Sequence, residues 1–286
     1  MPENLGTATL RILFVSALAL TRPVPLSGQL NSGSIVVVES AGDYVVVAAD
    51  SLNLSAKGVS LHRCKVIALD SRLVYANTGY TSKASAPGRW DATDIAKRKF
   101  RGLRKAPRHE LIRKLAEAYG AEVAARLQPD ILGHPEEGWP QTLTTAIFAG
   151  FDEDHRRASI EVRIHRTPFG VGYSTKSLPT DDAPFTDVLG ETTVTQEFVG
   201  GRTLRSRDWK NSLDAQVAGL AIRERLVAGA RKLVELTAKY QPDLVGGAID
   251  TLVISRKTGV EWVQCKPECA TSTGRQDSLR HRLEQQ

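Results

Sequence analysis

Ser34, Asp50, Lys65 and Gly79 are four residues whose types can share one piece of chemistry, and they follow one another at intervals of sixteen, fifteen and fourteen residues. A serine hydroxyl is a poor nucleophile at neutral pH and needs a base to take its proton. A lysine buried beside it supplies positive charge that favours the alkoxide. An aspartate against that lysine keeps it charged and aligned, because an unpaired buried ammonium tends to lose its proton. A glycine at the end of a strand can offer its backbone N–H to a developing oxyanion, and losing such a donor costs on the order of 3 kcal/mol in other enzymes. Taken singly, each residue has a plainer reading. Ser34 is then a loop residue before a strand, Asp50 and Lys65 a structural ion pair between neighbouring strands, and Gly79 a turn.

The elements that would position these residues are legible in the hydrophobic pattern. Residues 35–39 and 44–49 are β-branched runs separated by Ser40-Ala-Gly-Asp43, which predicts a hairpin. Residues 65–70 and 73–77 repeat the pattern, and four strands in so short a stretch predict an antiparallel sheet at the start of the domain. Asp91 or Thr93 can cap a helix that runs to about Leu103, and Pro107 suits the start of a second. In that second helix Leu111, Ile112, Leu115, Tyr119, Val123 and Leu127 recur at helical spacing and predict one buried face. Strands are expected again at 142–150 and 158–165, then a long helix at about 212–240 with a stripe of Ile222, Leu226, Ala230, Leu233 and Val234. A hairpin of 249–255 and 260–264 closes the pattern across Lys257-Thr-Gly259. Strands, helices, strands, helix, strands: the order predicts an α+β fold, a four-layer αββα sandwich of two antiparallel sheets.

The motifs Gly33-Ser-Ile-Val-Val-Val38, Ala48-Ala-Asp-Ser51, Cys64-Lys-Val-Ile67 and Asn77-Thr-Gly79 resemble the start of proteasome β-type subunits. They are also similar to the bacterial peptidase that works with an ATP-dependent unfoldase. The first and third intervals match that family, and the middle one is a residue short, the gap falling within 53–63. The resemblance covers about 33–264 and implies an N-terminal-nucleophile (Ntn) hydrolase, an enzyme that cuts a Gly–nucleophile bond in its own chain. Here the bond is Gly33–Ser34. Its cleavage would create an α-amine whose ordinary pKa near 8 suits the role of base. The resemblance implies Ser34 as nucleophile, Asp50 and Lys65 as its electrostatic partners, and Gly79 as oxyanion donor.

This chain departs from the family pattern at several points. Serine replaces threonine, and Ile35 stands where a second Thr is common. Leu189-Gly-Glu-Thr-Thr193 is the nearest counterpart of the family's Gly-Ser-Gly loop, and Asp243-Leu-Val-Gly-Gly247 keeps the Asp and glycines of another motif without its serine. The activity implied is hydrolysis of amide bonds, peptides first. The alternatives are a catalytically inactive proteasome-like scaffold, or an Ntn acylase acting on small-molecule amides. Homo-oligomers, rings included, are implied by the resemblance alone.

Composition narrows the remainder. The 286 residues carry 38 Lys and Arg against 32 Asp and Glu. Much of the basic excess lies in 97–114, which has no interleaved aromatics and reads as a solvated helix face rather than a nucleic-acid surface. No P-loop occurs, and neither a cofactor nor a metal is expected. The apolar stretch 12–20 is too short to span a bilayer but fits the core of a secretory signal. Residues 1–33 are therefore expected to be a signal peptide or propeptide, with export to the periplasm as the first reading and a cytoplasmic location as the alternative. Residues 34–264 are expected to form the hydrolase domain and 265–286 a polar tail. Cys265 and Cys269 can close a small disulfide loop and leave Cys64 unpaired, or all three cysteines can remain thiols.

Overall fold

The structure, a computed structural model, describes residues 34–52, 64–83, 88–133, 140–180, 184–190 and 219–270. The expected leader with Gly33, and the chain beyond Ala270, lie outside the described residues.

Among the described residues, ten strands form two five-stranded antiparallel sheets. The first contains β1 (Val36–Ala41), β2 (Tyr44–Ala49), β10 (Phe185–Leu189), β11 (Asp250–Ser255) and β12 (Gly259–Gln264), in the order β10-β1-β2-β11-β12. The second contains β3 (Val66–Ala68), β4 (Leu73–Gly79), β7 (Thr142–Phe151), β8 (Arg157–Thr167) and β9 (Gly170–Ser177), in chain order. A small ribbon pairs β5 (Ser82–Lys83) with β6 (Trp90–Asp91). The helices among the described residues are α1 (Ala92–Leu103), α2 (Arg108–Gly133), α3 (Ile222–Tyr240) and a single turn, α4 (Pro267–Ala270).

The opening expectation of one sheet from the first four strands is wrong in an instructive way. Both hairpins form, but β1–β2 belongs to the first sheet and β3–β4 to the second. Hydrophobic burial explains the split. Val36, Val38, Val45 and Val47 of one hairpin share a buried cluster with Val66, Ala68, Val74 and Ala76 of the other. Opposite faces of the same strands are buried as well. Ile35, Val37, Val46 and Ala48 pack with Ala230, Leu233 and Val234 of α3, and Leu73, Tyr75 and Phe148 pack with α1 and α2. A strand covered on both faces reads as an unbroken apolar run, and such a run does not tell which sheet it joins.

Other boundaries hold or move for local reasons. Asp91 caps α1, its Oδ1 accepting from Thr93 N–H at 2.8 Å and Asp94 N–H at 3.3 Å. The long third helix begins at Ile222 rather than near 212, and Ile222 is exposed instead of lying on the buried stripe; residues 211–218 lie outside the described residues. The pattern also missed β9, which has two glycines and is exposed from Tyr173 to Ser177.

The cysteine expectations are overturned. The bridge joins Cys64 to Cys269, across 205 residues of sequence, and Cys265 is not part of it. Residues just past 264 remain on the domain. Cys269 is buried, and Lys266 pairs with the buried Asp250. Local spacing favoured the short loop, but the register of β12 carries the chain end back over β3, where Cys64 waits. In the basic stretch, Lys99 pairs with Glu122, Arg108 with Asp70, Arg113 with Glu117 and Lys114 with Glu110. Among the described residues no helix is long and apolar enough to cross a membrane.

Candidate active site

Asp50 is the hub. It follows the last residue of β2 and is fully buried. Its Oδ1 accepts from Ile35 N–H at 2.9 Å and from the Lys65 ammonium at 2.8 Å, while its Oδ2 accepts from Gly246 N–H at 3.2 Å. Its own N–H donates to Ile35 carbonyl oxygen at 3.3 Å. Asp50 thus grips Ile35 through both main chain and side chain, and Ile35 is bonded directly to Ser34. Ser34 is therefore held at the start of β1 before any ligand arrives.

Lys65 approaches from the other sheet, just ahead of β3. Its carbonyl accepts from Asn77 N–H at 3.1 Å, which fastens it to β4, and its ammonium also donates to the Leu52 carbonyl. The Asp50–Lys65 contact is therefore a bridge between sheets, not the pairing of neighbouring strands that the plainer reading supposed. Burial pushes the Lys65 pKa down, and the charge and hydrogen bond of Asp50 oppose that push. Burial likewise pushes the Asp50 carboxyl up, against the pull of Lys65 and the N–H donors of Ile35 and Gly246. Burial thus works against the charge of each member, and the other member is the main influence that favours it.

Ser34 and Lys65 line one small pocket with Cys64, Asn77, Thr81, Asp91 and Thr93. The capped start of α1 forms one wall, and the end of β4 another. Gly79 sits between the lining residues Asn77 and Thr81 with φ +83°. A Cβ built there would lie 2.5 Å from the Leu143 carbonyl oxygen, so the strand can end in this way only with glycine.

Two segments that sequence comparison left ambiguous also reach this region. Gly246 donates to Asp50, and its carbonyl accepts from Ser51 and Leu52 N–H at 3.1 and 2.9 Å. The glycine of the 243–247 motif is thus a direct partner of the hub, whereas Asp243 is exposed. Gly190, with φ +141°, runs so close to Ser34 that a Cβ would lie 2.4 Å from the Ser34 carbonyl oxygen. Residues 191–193 of that motif lie outside the described residues. The Lys266–Asp250 pair and the Cys64–Cys269 bridge, both beside Lys65 along the chain or in space, carried no local sequence signal.

No family model and no curated protein matches the chain. Among solved structures, an Anbu (Gly-1) mutant from Hyphomicrobium sp. strain MC1 aligns over 88% of this chain and 98% of that one, at 16% identity and a TM-score of 0.46.

Proposed function

We propose that this chain is a self-processing Ntn hydrolase of the proteasome type, an αββα sandwich that cleaves amide bonds, with peptides as its first substrate class. The observation that carries the proposal is the shared Asp50 Oδ1, which holds both the Ile35 N–H and the Lys65 ammonium and so sets a cation beside Ser34. The three buried clusters, one between the sheets and one on the outer side of each, support the four-layer reading.

The chemistry follows from that arrangement. The Ser34 Oγ attacks the Gly33 carbonyl carbon, and transfer of the acyl group from nitrogen to oxygen leaves an ester and a free Ser34 amine. Water hydrolyses the ester, leaving a carboxylate on Gly33. In the mature chain the amine takes the Oγ proton as Oγ attacks a substrate carbonyl, then returns a proton to the departing amine, and water hydrolyses the resulting acyl ester to free the acid and restore the Ser34 hydroxyl. Lys65 favours the alkoxide, Asp50 keeps Lys65 charged, and the Gly79 N–H steadies the oxyanion. Export belongs to the same proposal and is supported by the Cys64–Cys269 bridge, since such bridges persist in oxidising compartments. Assembly into a homo-oligomer, a ring being one form, rests on the sequence resemblance.

Intact-mass measurement of purified protein tests the reading. Wild type is expected to begin at Ser34, Ser34→Ala to keep the Gly33–Ser34 bond and be inactive, and Ser34→Thr to process. A wild-type chain that keeps the bond through prolonged incubation leaves only the inactive scaffold.

A further inference from the structure

A second ion pair, its carboxylate buried and its lysine partly so, lies near the first. Asp250 opens β11 opposite Ala49, the residue before Asp50, and is fully buried. Its Oδ1 accepts from Lys266 N–H at 3.0 Å, and its Oδ2 lies 3.2 Å from the Lys266 ammonium. The Cys269 sulfur is 3.6 Å from the same Oδ2. Cys269 is bridged to Cys64, which lines the Ser34 pocket and precedes Lys65 by one bond in the chain. The segment carrying Lys266 is thus covalently fastened next to the lysine of the candidate site, 201 residues away in sequence.

We propose that Asp250 and Lys266, fastened in place by the Cys64–Cys269 bridge, are positioning residues that tune Lys65. The inference rests on the reading of Lys65 as part of a hydrolase site and adds to it a control from the chain's end. Four influences act on the Lys65 ammonium. Burial lowers its proton affinity most, Asp50 raises it, Lys266 lowers it and Asp250 raises it. The two positioning residues therefore act with opposite signs. A brace that merely held the fold together would not make their removal distinguishable by direction.

The test is an NMR titration of the Lys65 ammonium in the full-length protein labelled with [15N]lysine, the signal assigned by its loss in Lys65→Arg. Asp250→Asn is expected to move the titration to lower pH, Lys266→Gln to higher pH, and Lys266→Arg to leave it in place. Reduction of wild type by a phosphine needs no substitution and covers the case in which a variant does not fold. The bridge becomes two thiols and the phosphine its oxide, water supplying the oxygen and protons. Loosening the segment takes Lys266 away from Lys65, uncovers Asp250 and admits water, so the titration is expected to rise. Shifts of one sign in Asp250→Asn and Lys266→Gln, or no shift in these and on reduction, overturn the proposal. If the chain hydrolyses peptides, the alkaline limb of kcat/KM is expected to follow the same directions. A titration that moves as stated in a chain that never cuts Gly33–Ser34 sinks the hydrolase reading and keeps the coupling. Hydrolysis with an unmoved Lys65 does the reverse.

Discussion

Lys65 Nζ and Ile35 N–H reach the same oxygen of Asp50, at 2.8 and 2.9 Å. Ile35 leads into the first sheet and Lys65 into the second, so a single carboxylate oxygen joins the two sheets at the residue next to Ser34. That relationship gives the site a fixed geometry, and it makes Lys65 serve the fold as well as the proposed chemistry.

Lys65→Ala separates those two services. The truncation leaves Asp50 buried without its cation, and breaking such a pair costs about 3–5 kcal/mol. Urea unfolding should show a lowered midpoint with an unchanged slope. Under conditions where the variant is still folded, intact mass should show an uncut Gly33–Ser34 bond and assays no hydrolysis. A folded variant with wild-type processing would reduce the pair to a structural one.

Gly190→Ala probes how tightly the chain passes over Ser34. Alanine at φ +141° is strained by about 1–3 kcal/mol, and its Cβ would also press on the Ser34 carbonyl oxygen. The backbone at Ser34 must shift, so loss of stability and slowed processing are both expected. A variant as stable as wild type, measured by denaturant unfolding, contradicts the close approach.

Glu39 supplies a pH dependence unrelated to the site. It sits on the α3-facing side of β1, and Gly229 of α3 leaves room for it, since a Cβ there would lie 2.7 Å from both carboxylate oxygens. Loss of water on burial raises its pKa to about 8 from an ordinary 4.5. A carboxyl with a raised folded pKa gives stability that is fully present below about 4.5 and is lost as pH climbs to about 8. Glu39→Gln should remove that slope and be more stable than wild type at pH 8 by an amount on the order of a few kcal/mol. Equal pH profiles for the two proteins, from urea unfolding at several pH values, would refute the assignment.

The sequence by itself determined the local elements and one long-range contact. β2 matches its apolar run from Tyr44 to Ala49, α1 starts where Asp91 can cap it, and the spacing of Asp50 and Lys65 announced a pair. These follow from side-chain periodicity, capping chemistry and a motif within one short stretch of chain. Only the tertiary structure decided that the two opening hairpins lie in different sheets, because strands buried on both faces carry no mark of their sheet. It alone decided that Cys269 bonds Cys64 rather than joining Cys265, and that Gly246 and Gly190 close upon Asp50 and Ser34. Partners so far apart in sequence are chosen by where the packed sheets bring the backbone, and no local pattern encodes that distance.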